Sequence, residues 1–174
     1  MSYEQTIKEL FNYISSKHPD LLSGIDHKIP STEQTSISFL GDFNGEIGKK
    51  IQESFLESLK IQHKLPDWII NMTGMSGKKY RYFINNLIGS INDPKYLEVG
   101  SWSGSTACSA MWGNSLSAIC IDNWSLFGGP KDLFLDNIKN VSQHSNCKFS
   151  FVEEDFRSVN FELLDYRANI YLFD

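Results

Sequence analysis

The spacing of apolar residues divides the chain into two parts, with a break near residue 93. Before the break the apolar period is helical, and it predicts three helices. The stripes of the first two comprise Ile7, Leu10, Phe11 and Ile14, then Ile47, Ile51, Phe55 and Leu59. A third helix is predicted from Ser76, its N-cap, to about Ile91, and its buried side comprises Tyr80, Phe83, Ile84, Leu87 and Ile88. The sequence Asn92-Asp93-Pro94 then ends the helix.

Beyond Pro94, short apolar runs alternate with helical segments, which is typical of βαβ units and a parallel sheet. Strands are predicted at residues 96–99, 117–121, 149–152 and 169–173. Helices are predicted at 104–112 and 131–142 between the first three strands, whereas the last connection, 158–166, is short. We therefore predict an α/β fold with an open, mainly parallel sheet. Residues 1–93 are predicted to form an N-terminal helical extension and residues 94–174 the sheet domain.

A glycine-rich turn follows the first predicted strand in the sequence YLEVGSWSGST, residues 96–106. Gly100 and Gly104 let the backbone approach a ligand, and open α/β sheets bind ligands at this carboxyl edge. Trp102 and Ser105 stand where a dinucleotide-binding G-x-G-x-x-G turn has its second and third glycines, and a P-loop lysine is absent from the turn. The acid Glu98 suits a ligand that carries positive charge. S-adenosylmethionine is such a ligand.

Two more acids follow predicted strands. Asp122 comes directly after the run SAICI and can accept both ribose hydroxyls, while Asp155 in FVEEDF lies within reach of an adenine amino group. Asn123 and Trp124 extend the second loop, where an indole can cover the adenine. A single strand-end acid is more often a helix cap or part of a solvated turn. Three such acids beside one glycine turn favour a binding site.

These segments resemble the class I S-adenosylmethionine-dependent methyltransferases, which have a Rossmann-like fold. YLEVGSWSGST is similar to their first motif, AICIDNW to the acidic loop after the second strand, and FVEEDF to the adenine-contacting loop. With GMSGKKYRYFINNL and IDNWSLFGGPK, the resemblance covers Gly74 to Asp174 and extends to bacterial and phage class I methyltransferases grouped with small-molecule and sugar O-methyltransferases. It implies an enzyme that methylates a small-molecule hydroxyl.

The resemblance also implies a set of cofactor-binding residues. The methionine end is implied to lie at Glu98, Gly100, Ser101 and Gly104, and at Ser105 and Thr106 of the next helix. Asp122, with Asn123 and Trp124, is implied to hold the nucleoside, and Asp155 with Phe156 to bracket the adenine. Asp174 follows the fourth strand, where family members place a catalytic residue or a ligand of a divalent cation. Because the family sheet has seven strands, we expect this chain to be C-terminally truncated, to bind cofactor without catalysis, and to associate through its last strand.

Composition limits the other function classes. The 16 basic and 21 acidic residues give a net charge of −5, without a Lys/Arg run that could bind nucleic acid. No apolar run reaches the roughly eighteen residues of a membrane span, and no signal peptide is evident, so we expect a soluble cytoplasmic protein. The spacing of the four histidines and of Cys108, Cys120 and Cys147 suits neither zinc nor disulfides. Residues Gly74 to Gly77 and Arg81 are interpreted as structural.

Two alternatives stay open. The first is a non-catalytic domain that retains a nucleoside pocket, which turnover would distinguish from an enzyme. The second is an NAD-dependent oxidoreductase, which Trp102 in the glycine turn disfavours.

Overall fold

The computed structural model describes residues 41–42 and 44–173, so the predicted stripe from Ile7 to Ile14 lies outside the described residues. The described elements are α1 (Glu46–Leu59), α2 (Asp67–Ile70), α3 (Lys78–Ser90), β1 (Lys95–Val99), α4 (Ser105–Met111), β2 (Ser115–Ile121), α5 (Lys131–Ser142), β3 (Asn146–Val152) and β4 (Ile170–Phe173). The described residues therefore form an α/β fold, and the order of strands and helices predicted beyond Pro94 is confirmed. The short helix α2 was not predicted.

Four parallel strands form one sheet in the order β3-β2-β1-β4. The chain moves outward from β1 to β2 and β3, then returns to the other side of β1 for β4. This reversal makes β1 and β4 the topological switch point, where the connections diverge and leave a crevice at the carboxyl ends of the strands. The sheet is Rossmann-like and open.

The two faces of the sheet are covered differently. On one face, Tyr96 and Cys120 lie in the main core with residues of α3, α4 and α5. On the other face, Val99 and Ile121 pack against Val159 and Tyr166 of the segment between β3 and β4. Tyr166 holds this segment in place by donating its hydroxyl hydrogen to the carbonyl of Ser117 at 2.7 Å.

The predicted buried faces of two helices are wrong in part. In α3, Ile84 and Ile88 are buried as predicted, but Tyr80 is 38% exposed, whereas Arg81 and Asn85 are buried. Asn85 is buried because its side chain accepts from the backbone N–H of Lys64 and donates to the carbonyls of Ser109 and Trp112. In α1 the buried side comprises Gln52, Ser54, Phe55, Leu56 and Ser58, so Ile47 is exposed. In α3, therefore, hydrogen bonding of Asn85 places a polar residue on the buried side.

Candidate functional site

A cavity of about 500 Å³ opens at the carboxyl edge of the sheet, beside the switch point. This volume lies in the range of small-molecule sites. The lining residues come from the ends of β1, β2 and β4, from the loops after β1, β2 and β3, and from the loop before α3. They are Met75, Val99, Gly100, Trp102, Ile121, Asp122, Asn123, Ser125, Leu126, Phe127, Glu154, Asp155, Phe156, Arg157 and Phe173.

The glycine-rich turn after β1 uses backbone conformations that favour glycine. Gly100 lines the cavity with a φ of +88°, and Gly104 has a φ of +84° at the start of α4. A Cβ on Gly104 would lie 3.0 Å from the Phe134 ring. Gly100 therefore lines the cavity, whereas Gly104 is needed for the turn and for packing against α5.

Asp122 joins the two loops that flank the cavity. Its Oδ2 accepts the backbone N–H of Trp102 at 2.7 Å, and its Oδ1 accepts that of Trp124 at 2.7 Å. Each carboxylate oxygen has two lone pairs, so each retains one acceptor position. The carboxylate lines the cavity and is held in place by the backbone, as a bidentate acceptor of a diol requires.

Of the two indoles in these loops, Trp102 lines the cavity and Trp124 does not. Trp124 does not line the cavity, because its ring packs 5.2 Å from Phe134 and 6.0 Å from Phe151 between centroids, and its Nε1 donates to the carbonyl of Trp102. Trp102 lines the cavity and donates from Nε1 to the carbonyl of Phe127 at 2.9 Å. The prediction that Trp124 covers a base therefore does not fit its position. Trp102 and Phe127 are the aromatic residues of these loops that a ligand can contact.

Backbone strain marks the same loops. Trp102, Trp124 and Phe127 have φ values of +44°, +48° and +52°, which side chains of this size rarely adopt. Such conformations persist only where the surroundings hold them, and they cluster at functional sites. Here the Asp122 carboxylate and the indole hydrogen bonds hold them.

Four of the residues implied for the methionine end lie behind the turn rather than in the cavity. Glu98 is fully buried on the helix-covered face, where its carboxylate accepts the hydroxyl of Tyr96. The side chains of Ser101, Ser105 and Thr106 are also buried and do not line the cavity. The alternation of side chains along β1 explains the position of Glu98, because Val99 and Glu98 face opposite sides of the sheet. These four side chains therefore do not line the cavity, and their predicted contacts with a ligand stay a prediction.

The loop after β3 brings to the cavity two residues that were predicted to contact an adenine. Asp155 and Phe156 both line the cavity, and the Phe156 ring meets Phe173 edge-on with 5.1 Å between centroids. The Asp155 carboxylate also accepts three hydrogen bonds from Arg157, a residue that the sequence analysis missed. The hydrogen bonds from Arg157 lower the pKa of Asp155 to about 2. The carboxylate is therefore an anion at neutral pH.

The loop before α3 is docked onto the glycine turn and brings Met75 to the cavity. Ser103 donates from Oγ to the carbonyl of Thr73 at 2.5 Å, and the hydroxyls of Ser76 and Ser105 lie 2.9 Å apart. The predicted N-cap is wrong, because Gly77 occupies that position and Ser76 takes part in this contact instead. A Cβ on Gly74 would lie 2.3 Å from the Ser105 Oγ, so the approach itself requires glycine.

Arg81 anchors this loop through its buried guanidinium. The sequence indicates a structural role for Arg81 but does not identify the loop as its partner. Arg81 is only 3% exposed. Its guanidinium donates to the carbonyls of Ile69, Ile70, Met72 and Gly74 and to the Ser76 hydroxyl. Burial lowers the pKa of Arg81. Hydrophobic periodicity could not find this role, and the available signal was an arginine shortly after the Gly/Ser-rich sequence of residues 74–77.

The charge of the cavity limits its ligands. Three carboxylates line it, those of Asp122, Glu154 and Asp155, and the lining cation Arg157 is bonded to one of them. Nearby Lys131 forms an ion pair with Glu153 at 2.5 Å. This balance disfavours a pyrophosphate and favours a neutral or cationic ligand.

Three further expectations concern Asp174, a metal ion and the membrane. Asp174, the predicted catalytic or metal-binding residue, lies outside the described residues. Within residues 41–42 and 44–173, no group of three or more His, Cys, Asp and Glu side chains is placed to hold a metal ion. No helix in the same ranges has the length and apolarity needed to cross a membrane.

The comparisons with known proteins leave the family open. No family model matches the chain, and no curated protein or solved structure matches it.

Proposed function

We propose that this domain binds S-adenosylmethionine and transfers its methyl group to the hydroxyl of a small molecule. The observation that carries the proposal is Asp122, a carboxylate at the end of β2 whose position is set by two backbone hydrogen bonds and whose remaining acceptor positions can meet a ribose diol. The acidic lining agrees with a ligand whose reactive end is a sulfonium cation.

The residues around the cavity suit the parts of this ligand. Asp122 would accept the ribose hydroxyls, and Asp155 would accept the amino group of the adenine. Trp102, Phe127 and Phe156 offer aromatic surface for the base. Near the end of β1, Gly100 leaves room for close approach, and Met75 and Phe173 provide apolar surface.

When bound, the sulfonium supplies an already electrophilic methyl group. The protein then has to hold an acceptor hydroxyl in line with that methyl and to keep competing water away. The apolar side chains of Met75, Val99 and Phe173 at the β1 and β4 ends suit the second task. Asp174 follows β4 directly in the sequence and is the proposed group for orienting or deprotonating the acceptor.

Calorimetric titration with S-adenosylhomocysteine tests the binding step. Asp122→Ala should weaken binding roughly ten- to a hundredfold, because two hydrogen bonds to a charged acceptor are lost. Asp136→Ala is the matched control, since Asp136 is an exposed acid on α5 outside the cavity, and it should bind as the wild type does. NAD should bind more weakly than S-adenosylhomocysteine to the wild-type protein. Unchanged affinity in a folded Asp122→Ala variant would exclude the ribose assignment.

Methyl transfer needs its own measurement. Incorporation of labelled methyl groups into a panel of hydroxylated small molecules should require the intact Asp122. Turnover on any of these acceptors would exclude the alternative of a non-catalytic nucleoside-binding domain.

A further inference from the structure

The ion pair of Asp155 and Arg157 lies within a single turn at the wall of the cavity. Arg157 donates its backbone N–H to Oδ1 of Asp155 at 3.0 Å, its Nε–H to the same oxygen at 2.9 Å, and an Nη2–H to Oδ2 at 2.5 Å. Both residues line the cavity. The contact therefore belongs to the ligand site geometrically.

This ion pair is poorly suited to stabilise the fold. Its partners are two residues apart, so it joins no separate elements, and their side chains are 76% exposed for Arg157 and 29% exposed for Asp155. Exposed pairs of this kind contribute little to the free energy of unfolding. A role in orienting the Asp155 carboxylate explains the three hydrogen bonds better.

The three hydrogen bonds determine what the carboxylate can still accept. Each carboxylate oxygen has two lone pairs. Oδ1 takes two donors from Arg157 and is saturated, whereas Oδ2 takes one and retains one acceptor position. The bidentate contact also fixes the plane of the carboxylate, because the guanidinium is planar and rigid. Asp155 is thus left with one oriented acceptor and no donor.

We infer that Arg157 is a positioning residue that holds Asp155 so that the site selects a nucleoside base with an exocyclic amino group over one with a carbonyl oxygen at the same place. An amino group donates to the remaining acceptor position of Oδ2. A carbonyl oxygen there would face a carboxylate oxygen without a hydrogen between them, which is repulsive. This inference rests on the proposed function, because it assumes that a nucleoside occupies the cavity.

Removing Arg157 should change selectivity more than stability. Without the guanidinium, the Asp155 side chain can rotate away from a carbonyl-bearing base, so the penalty against that base falls. The amino-bearing base still finds an acceptor, but it must order the side chain on binding. The ratio of the two affinities is therefore the diagnostic quantity.

The experiment is a calorimetric titration of the full chain with S-adenosylhomocysteine and with S-inosylhomocysteine, in which a carbonyl oxygen replaces the amino group. The wild-type protein should prefer the adenine ligand by about tenfold or more, as expected for one hydrogen bond replaced by repulsion. In Arg157→Ala the preference should fall below about threefold. Arg157→Lys, which keeps the charge without the bidentate geometry, should lie between the two. Arg167→Ala, at an exposed arginine outside the cavity, is the matched control and should retain the wild-type ratio.

The outcomes separate this inference from the proposed function. Retention of the full preference in Arg157→Ala overturns the positioning role, and so does a wild-type protein that binds both ligands equally well. A wild-type protein that binds neither ligand overturns the proposed function and this inference together. Thermal unfolding of Arg157→Ala should match the wild type, which shows that a lost preference does not come from a damaged fold.

Discussion

Replacing Arg81 by methionine should destabilise the protein and release the loop that carries Met75. The guanidinium is buried, and the two hydrogens of Nη1 are shared among the carbonyls of Ile69, Ile70 and Met72, at 2.8, 3.2 and 2.9 Å from Nη1. Methionine has a similar length and fills the space, but it offers no donor. The variant therefore removes the hydrogen bonds while it leaves much of the packing in place.

The magnitude follows from two opposing effects. A hydrogen bond to a charged group contributes about 1.5 to 3 kcal/mol, and a buried carbonyl left without a donor costs about 1 to 3 kcal/mol. Against this, the native protein keeps a cation in a buried place, which burial disfavours and which lowers the pKa of Arg81. The expected net loss in the free energy of unfolding is about 2 to 4 kcal/mol.

Thermal and urea unfolding measure this loss, and we expect the Tm to fall by about 5 to 15 °C. Lys78→Met is the matched control, because Lys78 is an exposed cation at the start of the same helix, and it should change the Tm little. Hydrogen exchange should show faster exchange in residues 69–77 of Arg81→Met before it shows any change in the sheet. If Arg81→Met unfolds like the wild type, the carbonyls do not depend on the guanidinium and the role given to Arg81 is wrong.

Three further predictions concern the glycine turn and the titratable groups. Gly104→Ala should lower the free energy of unfolding by about 1 to 3 kcal/mol in urea, because the backbone there has a φ of +84° and the new Cβ would lie 3.0 Å from the Phe134 ring. Gly77→Ala is the control and should be nearly neutral, because the space around Gly77 is open. Carbon-detected NMR should give the Asp155 carboxyl a pKa of about 2. Arg157→Ala should raise that pKa toward its ordinary value, because the hydrogen bonds that favour the anion are lost. The same pKa in the wild type and the variant would contradict the ion pair. Burial raises the pKa of Cys147 to about 12, so a disulfide reagent at pH 8 should modify it slowly in the native protein and rapidly after unfolding.

The sequence by itself determined the order of elements and the ends of the strands that matter for the site. The change from helical to strand period near residue 93, and the glycine and acid at each turn, are local features that persist in the fold. Asp122, Asp155, Phe156, Asn123 and Gly100 were predicted to line a ligand site, and they do line one cavity. Residues that directly follow parallel strands must meet at the same edge, whatever the details of packing.

Only the tertiary structure decided which side chains face the cavity and which face the core. Glu98 and Trp124 suggested ligand contacts by residue type. The alternation of side chains along β1 places Glu98 in the core, and the Trp124 ring packs against Phe134 and Phe151 instead of lining the cavity. Arg81 and Arg157 have roles that the sequence did not suggest. Arg81 binds backbone carbonyls and Arg157 binds a carboxylate, and local sequence patterns do not locate these partners. Hydrophobic periodicity records burial averaged over a helix or strand. A hydrogen bond depends on angles and distances between particular atoms, and the packing of separate elements sets those.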